Sequence, residues 1–191
     1  NETGETADVL EEGGDDADVE LMANTPENAA ATDGVFDGEI TLTPRTQRRA
    51  EVSAHLSEGV SLAAVGDHEA AIEKYDQALE LDSEAPFLYK QRGASYQAIG
   101  QFEAAVRDYD EAILLNAEDL NASYNRGAAY FALQDYAAPI ADYDEVIRMD
   151  PDLAEAYTKR ADAHEALGNV GEAARDRATA AVFESNRDSP R

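Results

Sequence analysis

From about Val52 onward, apolar positions recur at three- and four-residue spacing, the mark of amphipathic helices with one face turned to a core. Tyr89, Gly93 and Tyr96 define one such face. Phe102, Ala105, Val106, Tyr109, Ala112 and Ile113 define a second, and Gly100-Gln101 interrupts the chain between the two. Asn116 in one place and Asp150-Pro151 in another end the helical runs, because proline cannot continue a helix and restrains the residue before it. The first helix is expected to begin early, with Thr43 as N-cap and Pro44 as its first residue.

The pattern repeats. Residues 86–119 align with 120–153 at a period of 34 residues and eleven identities. Arg92-Gly93-Ala94 matches Arg126-Gly127-Ala128, and Asp108-Tyr109-Asp110-Glu111 matches Asp142-Tyr143-Asp144-Glu145. Backwards, the frame collects Gly59, Gly66, Ala71, Tyr75, Ala78 and Leu79; forwards, it collects Tyr157, Arg160, Gly168, Ala173 and Asp176. Each unit reads as a pair of helices, with Gly93, Gly127 and Ala161 where the pair must approach most closely. Arg92, Arg126 and Arg160 form one ladder and Asp108, Asp142 and Asp176 another, sixteen residues on. An antiparallel helix pair can join them as ion pairs inside the stack, which makes them framework rather than an anion-binding stripe.

The order of aromatic, Gly, Tyr, a Gly-Asp or Gly-Gln turn, Ala, Tyr, Ala and a terminal Asp-Pro resembles the tetratricopeptide repeat (TPR), in four copies at 52–85, 86–119, 120–153 and 154–183. The end copies depart from it: His55 and Leu62 replace aromatics in the first, His164 and Arg177 in the fourth, as outer faces that meet water require. The resemblance implies an all-α, right-handed α-solenoid of four antiparallel helix pairs over 43–185, whose first helices line a concave groove for a peptide. By register the groove residues would be Phe87, Lys90, Gln91, Asn121, Tyr124, Asn125, Phe131 and Lys159, with Tyr124, Phe131 and Phe87 as aromatic anchors. Lys90, Asn125 and Lys159 resemble part of a carboxylate clamp for a chaperone tail; Ala94 and Glu155 depart from it, and Glu155 would oppose a carboxylate.

Composition changes the picture at the N-terminus. Up to Pro44 there is no Lys or Arg, against thirteen Asp and Glu. Residues 1–42 therefore read as a disordered acidic tail or linker, and 186–191 as a short C-terminal tail. Asp15, Asp16, Asp18 and Glu20 lack the fixed glycine and distal glutamate of a calcium loop. The apolar clusters Val9-Leu10, Leu21-Met22, Val35-Phe36 and Ile40-Thr41-Leu42 read as spacer or as short motifs able to enter a groove.

The chain carries a net charge of −26, twelve Arg and only three Lys. Nucleic acid is not an expected partner, since cationic side chains supply that affinity. A high-salt cytoplasm and a GC-rich genome both fit such a composition. The absence of cysteine excludes disulfide scaffolds and thiol catalysis, and no apolar run reaches the length of a membrane span. The expected compartment is cytoplasmic, or exported if a leader preceding Asn1 has been removed.

His55, His68 and His164 are scattered, and no HExxH, phosphate loop or GxSxG is present. The sequence points to no catalysis, cofactor or metal. It points to a scaffold or adaptor that binds a protein or peptide, as a monomer or with weak self-association. The rivals are a self-assembly module and an accessory domain of a longer enzyme or cell-envelope protein.

Overall fold

The computed structural model describes residues 43–187; the expectations for 1–42 and 188–191, including the acidic tail and its clusters, lie outside the described residues. The chain divides into two compact units, 1–50 and 51–191. In the first, the described residues open helix α1 (Pro44–Ala64). The Thr43 hydroxyl accepts the Thr46 N–H at 3.3 Å, and its carbonyl accepts the Gln47 N–H at 2.9 Å.

The second unit contains the remainder of α1 and α2 (His68–Leu81), α3 (Pro86–Ala98), α4 (Phe102–Leu115), α5 (Leu120–Ala132), α6 (Ala138–Met149), α7 (Ala154–Ala166) and α8 (Val170–Arg187). The described residues are all-α, and each helix packs against the next in order, as expected of a solenoid of helix pairs. Side chains at the repeat boundaries dictate the breaks. Asp82, Asn116 and Asp150 each follow a helix, and each side-chain oxygen accepts the N–H two residues on, at 3.1, 3.3 and 3.3 Å. Asp67 and Asp119 cap α2 and α5 by accepting the N–H of Ala70 and Ala122. Within the repeats, Gly66, Gly100 and Gly168 turn the chain at positive φ; at the same step of the third repeat Gln134 is held at φ 62°.

In the first three repeats a tyrosine from the second helix fits against a glycine of the first. Carbons of the Tyr75, Tyr109 and Tyr143 rings lie only 2.5, 3.0 and 3.0 Å from where a Cβ would stand on Gly59, Gly93 and Gly127. All three tyrosines are buried. The fourth repeat replaces both members together, with Ala161 for the glycine and Arg177 for the tyrosine. Where the ring is gone, a methyl group fits, and Ala161 is fully buried.

Charge then ties the repeats to one another. Arg92 donates to both oxygens of Asp108 in its own repeat, at 2.8 and 2.7 Å, and to Asp76 of the preceding repeat at 2.5 Å. Arg126 does the same with Asp142 and Asp110, and Arg160 with Asp176 and Asp144. Each guanidinium thus pins one first helix to two successive second helices. The hydrogen bond to Asp108 raises the Arg92 pKa still further above its ordinary value, and that to Asp176 does so for Arg160. Burial pushes the Asp108 and Asp142 carboxyls up against the arginine's pull, so these pairs fix register more than they add stability. The first repeat reverses the charges: Glu58 stands at the arginine step and Lys74 at the aspartate step, 2.7 Å apart.

Two predictions follow from this frame. Gly127→Ala should lose about 1–3 kcal/mol to overpacking against Tyr143, whereas Gln134→Gly should gain about 0.5–1 kcal/mol by relieving positive φ; urea unfolding of both variants reads the opposite signs. In the same assay Arg126→Met should cost about 2–3 kcal/mol, because it strands the buried Asp142. Asp110→Ala, at the exposed arm, should cost under about 1 kcal/mol.

Candidate functional site

Within the second unit, α3 approaches α5 and α5 approaches α7, whereas α2, α4, α6 and α8 make no such approach to one another. The first helices therefore stand nearer to one another than the second helices do, and theirs is the side that the sequence assigns to a groove. Phe87 sits in the first turn of α3 and is 44% exposed. Gln91, one turn on, is half-buried; on α5 Asn121 is exposed and Asn125 half-buried. Among the described residues the side-chain amides of Gln91, Asn121 and Asn125 have no hydrogen-bond partner in the chain.

The two lysines expected in a groove differ. Lys90 places its ammonium 2.5 Å from Asp119 Oδ2 and 5.5 Å from the centre of the Phe87 ring. Its side chain is 17% exposed and that of Asp119 10%, so this cation is committed to holding the N-terminus of α5. Lys159, on α7, is exposed and makes no ion pair among the described residues. The aromatic residues are also engaged. Tyr124 meets Tyr143 edge to face at 5.8 Å, and Phe131 meets Tyr136 likewise at 5.1 Å, against the α5–α6 connection. Burial raises the Tyr124 pKa, and the carboxylate of Glu155 raises it further. Burial also pushes the Tyr109 and Tyr143 phenols well up.

A contact twelve residues long recurs beneath this face. The Tyr109 hydroxyl donates to Gln97 Oε1 at 3.0 Å. At the same step of the fourth repeat Arg177 binds Glu165, and it also reaches Asp162 at 3.3 Å. In the first repeat the step pairs Ala63 with Tyr75, and the buried Tyr75 hydroxyl is left without a partner.

Sequence reasoning did not find the second arm of each arginine, to Asp76, Asp110 and Asp144, although the Asp-Tyr-Asp motif carried the signal. It also did not find Asp119, which answers Lys90 only in this repeat. His55, His68 and His164 lie on three different helices, each with a buried Nδ1 that has no partner. Among the described residues no group of three or more His, Asp or Glu could hold a metal ion, and no helix is long and apolar enough to cross a membrane.

The family model described as "TPR repeat" matches residues 59–100, 95–134 and 129–168. No curated protein matches the chain. Among solved structures, the crystal structure of MamA is 25% identical, with a TM-score of 0.70 over 75% of this chain and 85% of that one. The first TPR of Spaghetti (RPAP3), solved bound to the HSP90 peptide SRMEEVD, is 28% identical, with a TM-score of 0.61 over 62% of this chain and 94% of that one. MamA from Desulfovibrio magneticus RS-1 shares the fold at 19% identity and a TM-score of 0.70, over 76% and 88% of the two chains.

The orphaned phenol generates its own test. Ala63→Gln should supply Tyr75 with the acceptor that Gln97 gives Tyr109, raising stability by about 1 kcal/mol. A thermal melt in which Ala63→Gln gains nothing would show that the two repeats are not equivalent at this step.

Proposed function

The chain belongs to the tetratricopeptide-repeat family, and from that premise we propose that it is a non-enzymatic scaffold or adaptor holding a peptide or partner segment along α3, α5 and α7. The observation that carries this reading is the division of labour among polar groups. The regular charges, Arg92, Arg126 and Arg160, are saturated by carboxylates of the second helices. The amides of Gln91, Asn121 and Asn125 are not: Gln91 and Asn125 share one step of the repeat, and Asn121 shares the step of the exposed Phe87 ring. Such amides can both donate to and accept from an extended backbone, while an aromatic at the edge takes an apolar side chain. The likeness to the RPAP3 domain solved with a peptide supports a peptide-binding role. Within the proposed groove Lys90 acts through Asp119, which leaves Lys159 as the open cation.

End-to-end self-assembly is the second reading. Val170 and Val182 are exposed on α8 and favour it. Against it, Ala178 stands where Asp76, Asp110 and Asp144 reach the arginine of the next repeat, so the ladder offers nothing to a following copy.

A photoreactive phenylalanine analogue at Asn125 should trap a discrete partner from an extract of the source cells, and the same probe at exposed Glu103 on α4 should not. Equal labelling from the two positions would reject the groove. Light scattering that gives a mass growing with concentration would favour self-assembly instead.

A further inference from the structure

We infer that Asp119 is a specificity-determining residue of the groove, making its α3–α5 end take an uncharged, apolar side chain and refuse an acidic one. This rests on the groove reading above and names what one part of that groove selects. Lys90 follows the exposed Phe87 by one turn of α3, and its ammonium stands 5.5 Å from the centre of that ring. Left open, such an ammonium would draw a partner's carboxylate to the edge of the ring. Asp119 forestalls this, with its Oδ2 at 2.5 Å from the Lys90 ammonium across the interval from α3 to α5.

Both side chains of this pair are largely withdrawn from water. A partner carboxylate that took Lys90 would strand Asp119 without its counter-charge, and such an exchange is unfavourable. The neutral pair leaves the Phe87 ring as the feature that an incoming side chain meets there, which suits an apolar group. The charge at 119 is not what the start of α5 requires. Asp119 caps that helix through Oδ1, which accepts the Ala122 N–H at 3.1 Å, and Asn or Ser would cap it as well. At the same step Ala85 and Leu153 precede α3 and α7, neither of which has a side-chain cap among the described residues. The lysine and the acid also occur together in this interval alone of the three. The interval before it has Leu56 with Ala85 at these two steps, and the interval after it has Tyr124 with Leu153.

The test is a positional-scanning library of acetylated, amidated decapeptides presented to the full chain. The unaltered chain should enrich apolar residues at one position, a preference that Phe87→Ala removes, and should not enrich Asp or Glu at that position or beside it. Asp119→Asn keeps the cap and frees the Lys90 charge. It should add an acidic preference there and raise binding of the matching acidic peptide about tenfold. Adding Lys90→Met to Asp119→Asn should take that gain away. Asp119→Ser, which also caps, replaces Asp119→Asn if circular dichroism shows lost helix, with the same expectation. The role of Asp119 is overturned, and the groove left standing, by any of four results: acidic selection there by the unaltered chain, an apolar preference that survives Phe87→Ala, an unchanged profile for Asp119→Asn, or a gain that survives Lys90→Met. Enrichment at no position by the unaltered chain overturns the groove as well.

Discussion

The repeat unit is organised by how closely its two helices approach at Gly59, Gly93 and Gly127. A ring from the second helix occupies the volume that a side chain on the first would need, with carbons within 3.0 Å of that position in all three. The approach buries a large aromatic surface in a unit too small to form a core alone. In the second repeat it also brings the Tyr109 hydroxyl to Gln97, twelve residues before it. The fourth repeat shows the constraint from the other side. Once Arg177 replaces the ring, alanine is tolerated at 161, and the guanidinium turns to Asp162 and Glu165 near the surface.

The arginine ladder solves a different problem, that of relative placement. Helix pairs that share one apolar interface could slide or rotate at little cost in buried area. A planar guanidinium that must satisfy two carboxylates on successive helices cannot. The ends of the ladder are built differently from its middle. The first repeat substitutes a self-contained Glu58–Lys74 pair, and the last places Ala178 where a further aspartate would stand. Both changes leave the outer helices without a charge seeking a partner, as terminal repeats require.

The frame was legible because its causes recur every 34 residues. Arg92 and Asp108 could be paired from their spacing on two antiparallel helices, and the structure places them in bidentate contact. Asp76, Asp110 and Asp144 recur just as regularly, but each acts across a repeat boundary, and alignment within the repeat hides that geometry. Lys90 was harder to read. Register alone sets it on the groove face, whereas its role comes from Asp119, a residue with Ala85 and Leu153 at the same step of the neighbouring repeats. A contact made once leaves no periodic trace. Tyr124 and Phe131 are similar: their positions were readable, but the rings they pack on come from α6 and the loop before it.

This difference bears on where recognition can reside. Positions that hold the stack together are bound to repeat, because each repeat meets the same neighbours. A ligand lying across several repeats meets each of them once, so its contacts are drawn from positions free to differ. In the proposed groove those positions run from Phe87 and Gln91 through Asn121 and Asn125 to Glu155 and Lys159. The change along them is directional, from aromatic and amide on α3 and α5 to charge on α7. The proposed groove would thus have a polarity that the repeating frame does not impose. Most of the chain's few cations are consumed by its own carboxylates. Of the two lysines assigned to the proposed groove, Lys90 is among those so engaged and Lys159 is not.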